Sequence, residues 1–100
     1  MSNYVVYMLY CQNNSYYTGY TNNLARRYQA HLDGKCKYTR SFKPLCIAAS
    51  WCINGEKGDA MRIERYIKSL NRQKKEALLA SPDSIKMHFP CVLDHNSCIR

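Results

Sequence analysis

Two runs of strand-forming residues open the chain, Tyr4-Val5-Val6-Tyr7-Met8-Leu9-Tyr10 and Tyr16-Tyr17-Thr18-Gly19-Tyr20, parted by Cys11-Gln12-Asn13-Asn14-Ser15. Aromatic and β-branched residues favour strands and a short Asn/Ser-rich interval favours a turn, so the stretch predicts a β-hairpin. Side chains alternate along a strand. If Tyr10 pairs with Tyr16, then Tyr7 and Leu9 share a face with Tyr17 and Gly19, and Tyr7 stands opposite Gly19 and diagonal to Tyr17. A glycine inside a strand sacrifices packing and marks a place where a ring, a ligand or backbone comes close. Two phenols beside a gap have the makings of a site.

The charge distribution bears on what such a site would meet. The 100 residues suit a single domain with a modest core. Fifteen Lys and Arg against seven Asp and Glu give a net charge of +8, yet residues 1–25 carry no charge. Thirteen of the fifteen basic residues lie between Arg26 and Lys75, among only four acids. A polyanion is the natural partner, and the interleaved Tyr28, Tyr38 and Phe42 favour nucleic acid, whose bases can stack on rings. The blander reading is a solvated face kept soluble by lysine. No stretch approaches a membrane span and no secretory leader is visible, so a cytoplasmic location is expected. There the six cysteines are expected as reduced thiols. His88, Cys91, His95 and Cys98 are four soft ligands at short spacing, but the spacing matches no standard zinc site and Pro90 interrupts it.

Further along, Thr21-Asn22-Asn23 offers helix caps for a segment from about Asn23 to Leu32, closed by Asp33-Gly34. Leu24, Arg27, Tyr28 and His31 fall on one face of it. Polar groups on a stripe that Leu24 and Tyr28 would bury depart from the usual pattern, and such departures mark functional positions. Equally, Arg27 could snorkel past Leu24, and His31 could be a satisfied interior imidazole. Residues 33–44 lack periodicity and carry Lys35, Lys37, Arg40 and Lys43, which suggests an exposed basic loop. Leu45 to Ile53 is apolar and predicts a third strand buried on both faces, with Trp51 in the core. Asp59 is expected to cap a helix to about Leu70, its apolar side formed by Ala60, Ile63, Ile67 and Leu70. Glu64 sits at the border of that stripe, where it could point into a cleft or pair with Lys68 at i,i+4. A last helix from Arg72 to Leu79 begins at Asn71. The order is β-β-α-β-α-α, an α/β (α+β) domain with a three-stranded antiparallel sheet flanked by helices.

Together these elements resemble the GIY-YIG nuclease domain, in its small stand-alone, bacterial-type form. The resemblance runs from about Tyr4 to Leu79: Val5-Val6-Tyr7 stands where the family has Gly-Ile-Tyr, and Tyr17-Thr18-Gly19 where it has Tyr-Ile-Gly. Asn23-Leu24-x-x-Arg27-x-x-x-His31, Lys37-Tyr38-Thr39-Arg40 and Ala60-x-x-x-Glu64-x-x-Ile67-Lys68 are similar to the segments that follow in that family. The resemblance implies that residues 1–80 form the nuclease-like domain, with residues 81–100 a tail whose structure it does not describe. It implies an endonuclease in which Arg27 binds the scissile phosphate. His31 would hydrogen-bond near the attacking water or a phosphate oxygen, and Glu64 would be the sole carboxylate on one Mg²⁺ or Mn²⁺.

Phosphodiester hydrolysis needs an activated water, charge neutralisation at phosphorus and help for the departing oxygen. Tyr17, supported by Tyr7, is expected to accept or relay the water's proton, although a free phenol titrates near 10 and the two rings could exchange roles. Gly19, Lys35, Lys37, Tyr38 and Arg40 are the candidates for substrate contact. Some stand-alone relatives act on single-stranded DNA and others more broadly. The alternative is a basic module that binds DNA or RNA without cutting it.

Overall fold

The computed structural model describes residues 3–97. Strands β1 (Asn3–Cys11) and β2 (Tyr16–Thr21) form the expected hairpin, in the expected register. Tyr10 pairs with Tyr16, Leu9 with Tyr17, and Tyr7 with Gly19. The turn is closed by Cys11 N–H donating to Ser15 O at 2.9 Å, with Asn14 in the left-handed region (φ 67°) that Asn tolerates.

Helix α1 (Leu24–Leu32) starts at Asn23, whose side chain accepts from the Arg26 N–H at 3.1 Å, and ends on Asp33 and a left-handed Gly34 (φ 75°). Strand β3 (Pro44–Asn54) pairs antiparallel with β1. Helix α2 (Lys57–Ser69) begins two residues before the expected Asp59 cap. Glu56 is the N-cap, and Asp59 reaches back from the third helical position to accept from the Glu56 N–H at 2.9 Å, as in a capping box. Helix α3 (Arg72–Ala80) is capped by Asn71, which accepts from the Lys74 N–H at 2.8 Å.

The expected three-stranded sheet is corrected to four strands. Beyond α3 a 3-10 turn (Pro82–Met87) leads into β4 (Val92–Ser97), which pairs antiparallel with β3 and gives the order β2-β1-β3-β4. The segment beyond residue 80 therefore completes the sheet. Trp51 is fully buried, and its indole N–H donates to Pro82 O at 2.9 Å, which ties the tail to the core.

Strand alternation sorts the core into two layers. Val6, Met8, Ala49, Trp51 and Ile53 pack against Ala60, Ile63 and Ile67 of α2, with Leu78 and Ile85. On the opposite face Tyr7, Leu9 and Cys11 pack with Leu24 and Tyr28 of α1. The sheet is thus sandwiched, and β2 is left as an edge. No helix among the described residues is long and apolar enough to cross a membrane.

Candidate active site

The hairpin register forces Tyr7 against the one position in β2 that has no side chain. A Cβ at Gly19 would lie 2.7 Å from the Tyr7 hydroxyl and 3.1 Å from Tyr17 Cε2, so the glycine is what lets the Tyr7 ring cross the hairpin. Tyr7, Tyr17 and His31 form a cluster of rings. Centroids lie 6.2 Å apart for Tyr7–Tyr17, 5.8 Å for Tyr7–His31 and 5.0 Å for Tyr17–His31, all tilted or edge-on.

Behind this cluster runs a chain of hydrogen bonds. The Tyr7 hydroxyl and His31 Nε2 are 2.9 Å apart, and His31 Nδ1 and Thr39 Oγ1 2.7 Å. Tyr7, His31 and Thr39 are all fully buried. Burial, helped by the Arg27 charge, pulls the His31 pKa down to about 4, so the ring is neutral at physiological pH. A neutral imidazole has one N–H and one lone pair, so both bonds run in the same sense along the chain. The Tyr7 pKa is pushed up to about 12, first by burial, with the neighbouring Arg27 guanidinium tempering the rise. Contact with Tyr7 in turn raises the pKa of Arg27.

In front of the cluster lies an open cleft of about 390 Å³ at the edge strand β2. Tyr7, Tyr17, Gly19, Arg27 and Glu64 all line it, brought from β1, β2, α1 and α2. The border position of Glu64 on α2 therefore has both anticipated outcomes: its carboxylate faces the cleft and also meets Lys68 Nζ at 3.6 Å.

A family model for the GIY-YIG catalytic domain matches residues 3–77. The chain belongs to the GIY-YIG family. This is a family of nucleases acting on nucleic acid, and small bacterial proteins are among the relatives. The chain is 44% identical over 79 residues to the UPF0213 protein BH0048 of Halalkalibacterium halodurans, covering 78% of this chain and 83% of that one. It is 44% identical over 78 residues to the UPF0213 protein YazA of Bacillus subtilis, covering 75% and 76%. With a UPF0213 protein of Xanthomonas axonopodis pv. citri the identity is 43% over 87 residues, covering 85% and 84%. The solution structure of BH0048 aligns with a TM-score of 0.47 at 41% identity, covering 78% of this chain and 83% of that one.

Within this GIY-YIG domain some of the other candidates lie away from the cleft. His31 does not line the cleft: it is the interior imidazole that its helical face also allowed, with both nitrogens bonded, and it meets the site through the rings of Tyr7 and Tyr17 and the charge of Arg27. Lys35, Lys37 and Arg40 are exposed and do not line the cleft. Their loop is anchored instead by the buried Cys36 and Thr39, while Arg40 Nε donates to Gly34 O at 3.3 Å. The side chains of Tyr38 and His95, and Cys98 entirely, lie outside the described residues.

Sequence reasoning also passed over five cleft residues, Tyr4, Tyr20, Thr21, Asn22 and Lys57, as well as Thr39. A signal existed for Tyr20, which belongs to the same short strand as Tyr17. Lys57 had none, because its position depends on where α2 starts.

The donor set can be weighed against the divalent metal that the GIY-YIG resemblance implies. Among the described residues no group of three or more His, Cys, Asp or Glu is placed to hold an ion, and Glu64 is the one carboxylate lining the cleft. Mg²⁺ commonly takes one or two carboxylates and keeps several waters, and a water occupies about 30 Å³. A half-buried glutamate on an open cleft of this size fits that mode.

Proposed function

We propose that this GIY-YIG domain is an endonuclease that hydrolyses DNA phosphodiester bonds with one divalent cation, Mg²⁺ or Mn²⁺, on Glu64. The observation that carries the reading is the convergence of Tyr17, Arg27 and Glu64 on one cleft, with Tyr7 packed beneath them. A guanidinium offers two phosphate oxygens a planar fork, and Arg27 lies where a phosphate entering the cleft would meet it. Tyr17 is only half-buried, so its phenol can meet the attacking water and relay the proton toward the open cleft. Tyr7 is fully buried, holds its proton to about 12 and contacts His31, which suits an orienting role better than that of a base. A cation bound to Glu64 would stabilise charge on the departing 3′ oxygen. The excess of lysine and arginine supports a nucleic-acid substrate.

The test is Glu64→Gln on labelled single-stranded, duplex and flap DNA, with Mg²⁺, Mn²⁺ or chelator. Cleavage by the parent chain with metal alone, lost at least 100-fold in the variant while affinity changes little, is the expected result. If the parent never nicks DNA with either metal yet binds it, the chain is a binding module.

A further inference from the structure

Beside the cleft, along the same edge strand, lies a second cavity of about 270 Å³ bounded by Tyr16, Tyr17, Thr18, Lys68 and Lys75. It adjoins the first in two ways: Tyr17 lines both, and Lys68 of this cavity meets Glu64 of the cleft at 3.6 Å. Lys68 and Lys75, from different helices, line this space; no carboxylate is part of its lining, although Glu76 reaches Tyr16 at its wall. Lys75 has no acidic partner within ion-pair distance among the described residues, while Glu76 beside it is engaged by Arg72 at 3.4 Å.

The second observation is independent of charge. Thr18 is 2% exposed, and its hydroxyl is the one buried side-chain oxygen or nitrogen among the described residues with no hydrogen-bond partner. Leaving a hydroxyl buried and unsatisfied costs about 1–3 kcal/mol. A valine would fill the same strand position without that penalty, so the hydroxyl makes physical sense where a ligand supplies its acceptor.

We propose that this cavity is a second phosphate subsite, which receives a phosphodiester flanking the scissile one on the strand held in the cleft. Thr18 donates its O–H to a phosphate oxygen, and Lys68 and Lys75 supply the positive charge. The inference rests on the reading of the neighbouring cleft as the place where a phosphodiester is held for hydrolysis. It adds a direction: the strand runs along β2 from Arg27 toward the start of α3.

The experiment measures affinity of the full chain for a labelled oligonucleotide in chelator, as a function of salt, with each phosphate replaced in turn by an uncharged methylphosphonate. For Lys75→Gln the salt slope should fall by about 0.7, the value of one lost contact on a single strand. Neutralising one particular phosphate near the cut should weaken the parent several-fold and leave Lys75→Gln unaffected, while all other positions weaken both equally. Thr18→Val should lose the same positional sensitivity and Thr18→Ser should keep it. Lys75→Arg should retain the slope, which separates lost charge from lost fold. An unchanged slope, a loss spread evenly over all positions, or no measurable binding by the parent would overturn the subsite. Cleavage by the parent with Mg²⁺ is scored separately. Positional coupling without cleavage would refute the nuclease reading alone, and cleavage without coupling would refute the subsite alone.

Discussion

Replacing Gly19 by alanine tests the geometry on which the cleft depends. The backbone there is not left-handed, so alanine suits the strand and gains about 0.5–1 kcal/mol over glycine from the unfolded chain. The added methyl, however, would lie 2.7 Å from the Tyr7 hydroxyl oxygen, 2.8 Å from its Cζ and 3.1 Å from Tyr17 Cε2. Carbon atoms pack best at about 3.5–4.0 Å, so the rings must move by several tenths of an ångström. Tyr7 has little freedom to do so, because it is fully buried and bonded to an equally buried His31. Overpacking of this kind costs about 1–3 kcal/mol. With Tyr7 buried and bonded the cost belongs to the upper part of that range, about 2–3 kcal/mol, and set against the gain from alanine the net loss is about 1–2 kcal/mol. For a domain near 100 residues that lowers the unfolding midpoint by about 4–16 °C. Displacing Tyr7 or Tyr17 should also reduce cleavage by about 100-fold. Gly58, which has nothing within 4 Å of an added Cβ, is the internal control. It lies in the first turn of α2, where alanine should stabilise by about 0.5–1 kcal/mol and leave cleavage intact. Differential scanning calorimetry and a nicking assay on both variants decide the matter. A Gly19→Ala protein with the parent's melting temperature and cleavage rate would refute the account of the hairpin.

Two further outcomes follow from the same cluster. Arg27→Lys should lower kcat for cleavage by about 100-fold with only a few-fold change in DNA affinity, since a point charge cannot replace a planar fork; equal kcat values would count against phosphate contact by Arg27. His31 is held neutral down to about pH 4 in the fold but protonates near 6.5 once unfolded, so unfolding takes up a proton between these limits. Its contribution is full above pH 6.5 and is lost as pH falls through the window toward 4, up to about 3 kcal/mol in all. Urea midpoints for the parent should therefore fall more steeply over that range than those of His31→Gln, and matching slopes would show that His31 is not held neutral.

The hairpin, its register and the role of Gly19 could all be read from the chain, because turn length and side-chain alternation fix them locally. The caps Asn23 and Asn71 were equally visible, each being a short polar side chain ahead of a periodic run. Asp59 misled because aspartate is good both as an N-cap and at the third helical position, and only Glu56 behind it distinguishes the two. Lys35, Lys37 and Arg40 are exposed on a loop, as their lack of periodicity suggests, but what positions that loop, the burial of Cys36 and Thr39, has no signature in the charges themselves. That His31 would be enclosed could not be settled from its helical face alone; it required Thr39, eight residues away, to fold back over Nδ1. Strand β4 gave least warning. Its residues show no clean alternation, and they become a strand by pairing with a β3 already in place.

That late strand has a bearing on where the molecule can be shortened. The stretch matched by the family model stops at residue 77, yet the carbonyl that satisfies Trp51, the buried Ile85 and the partner of β3 all come after it. Trimmed to the matched stretch, the sheet would present a bare, mostly apolar margin on the side away from the cleft, a template for pairing with other chains. What recognises the family and what folds as a unit thus differ in extent.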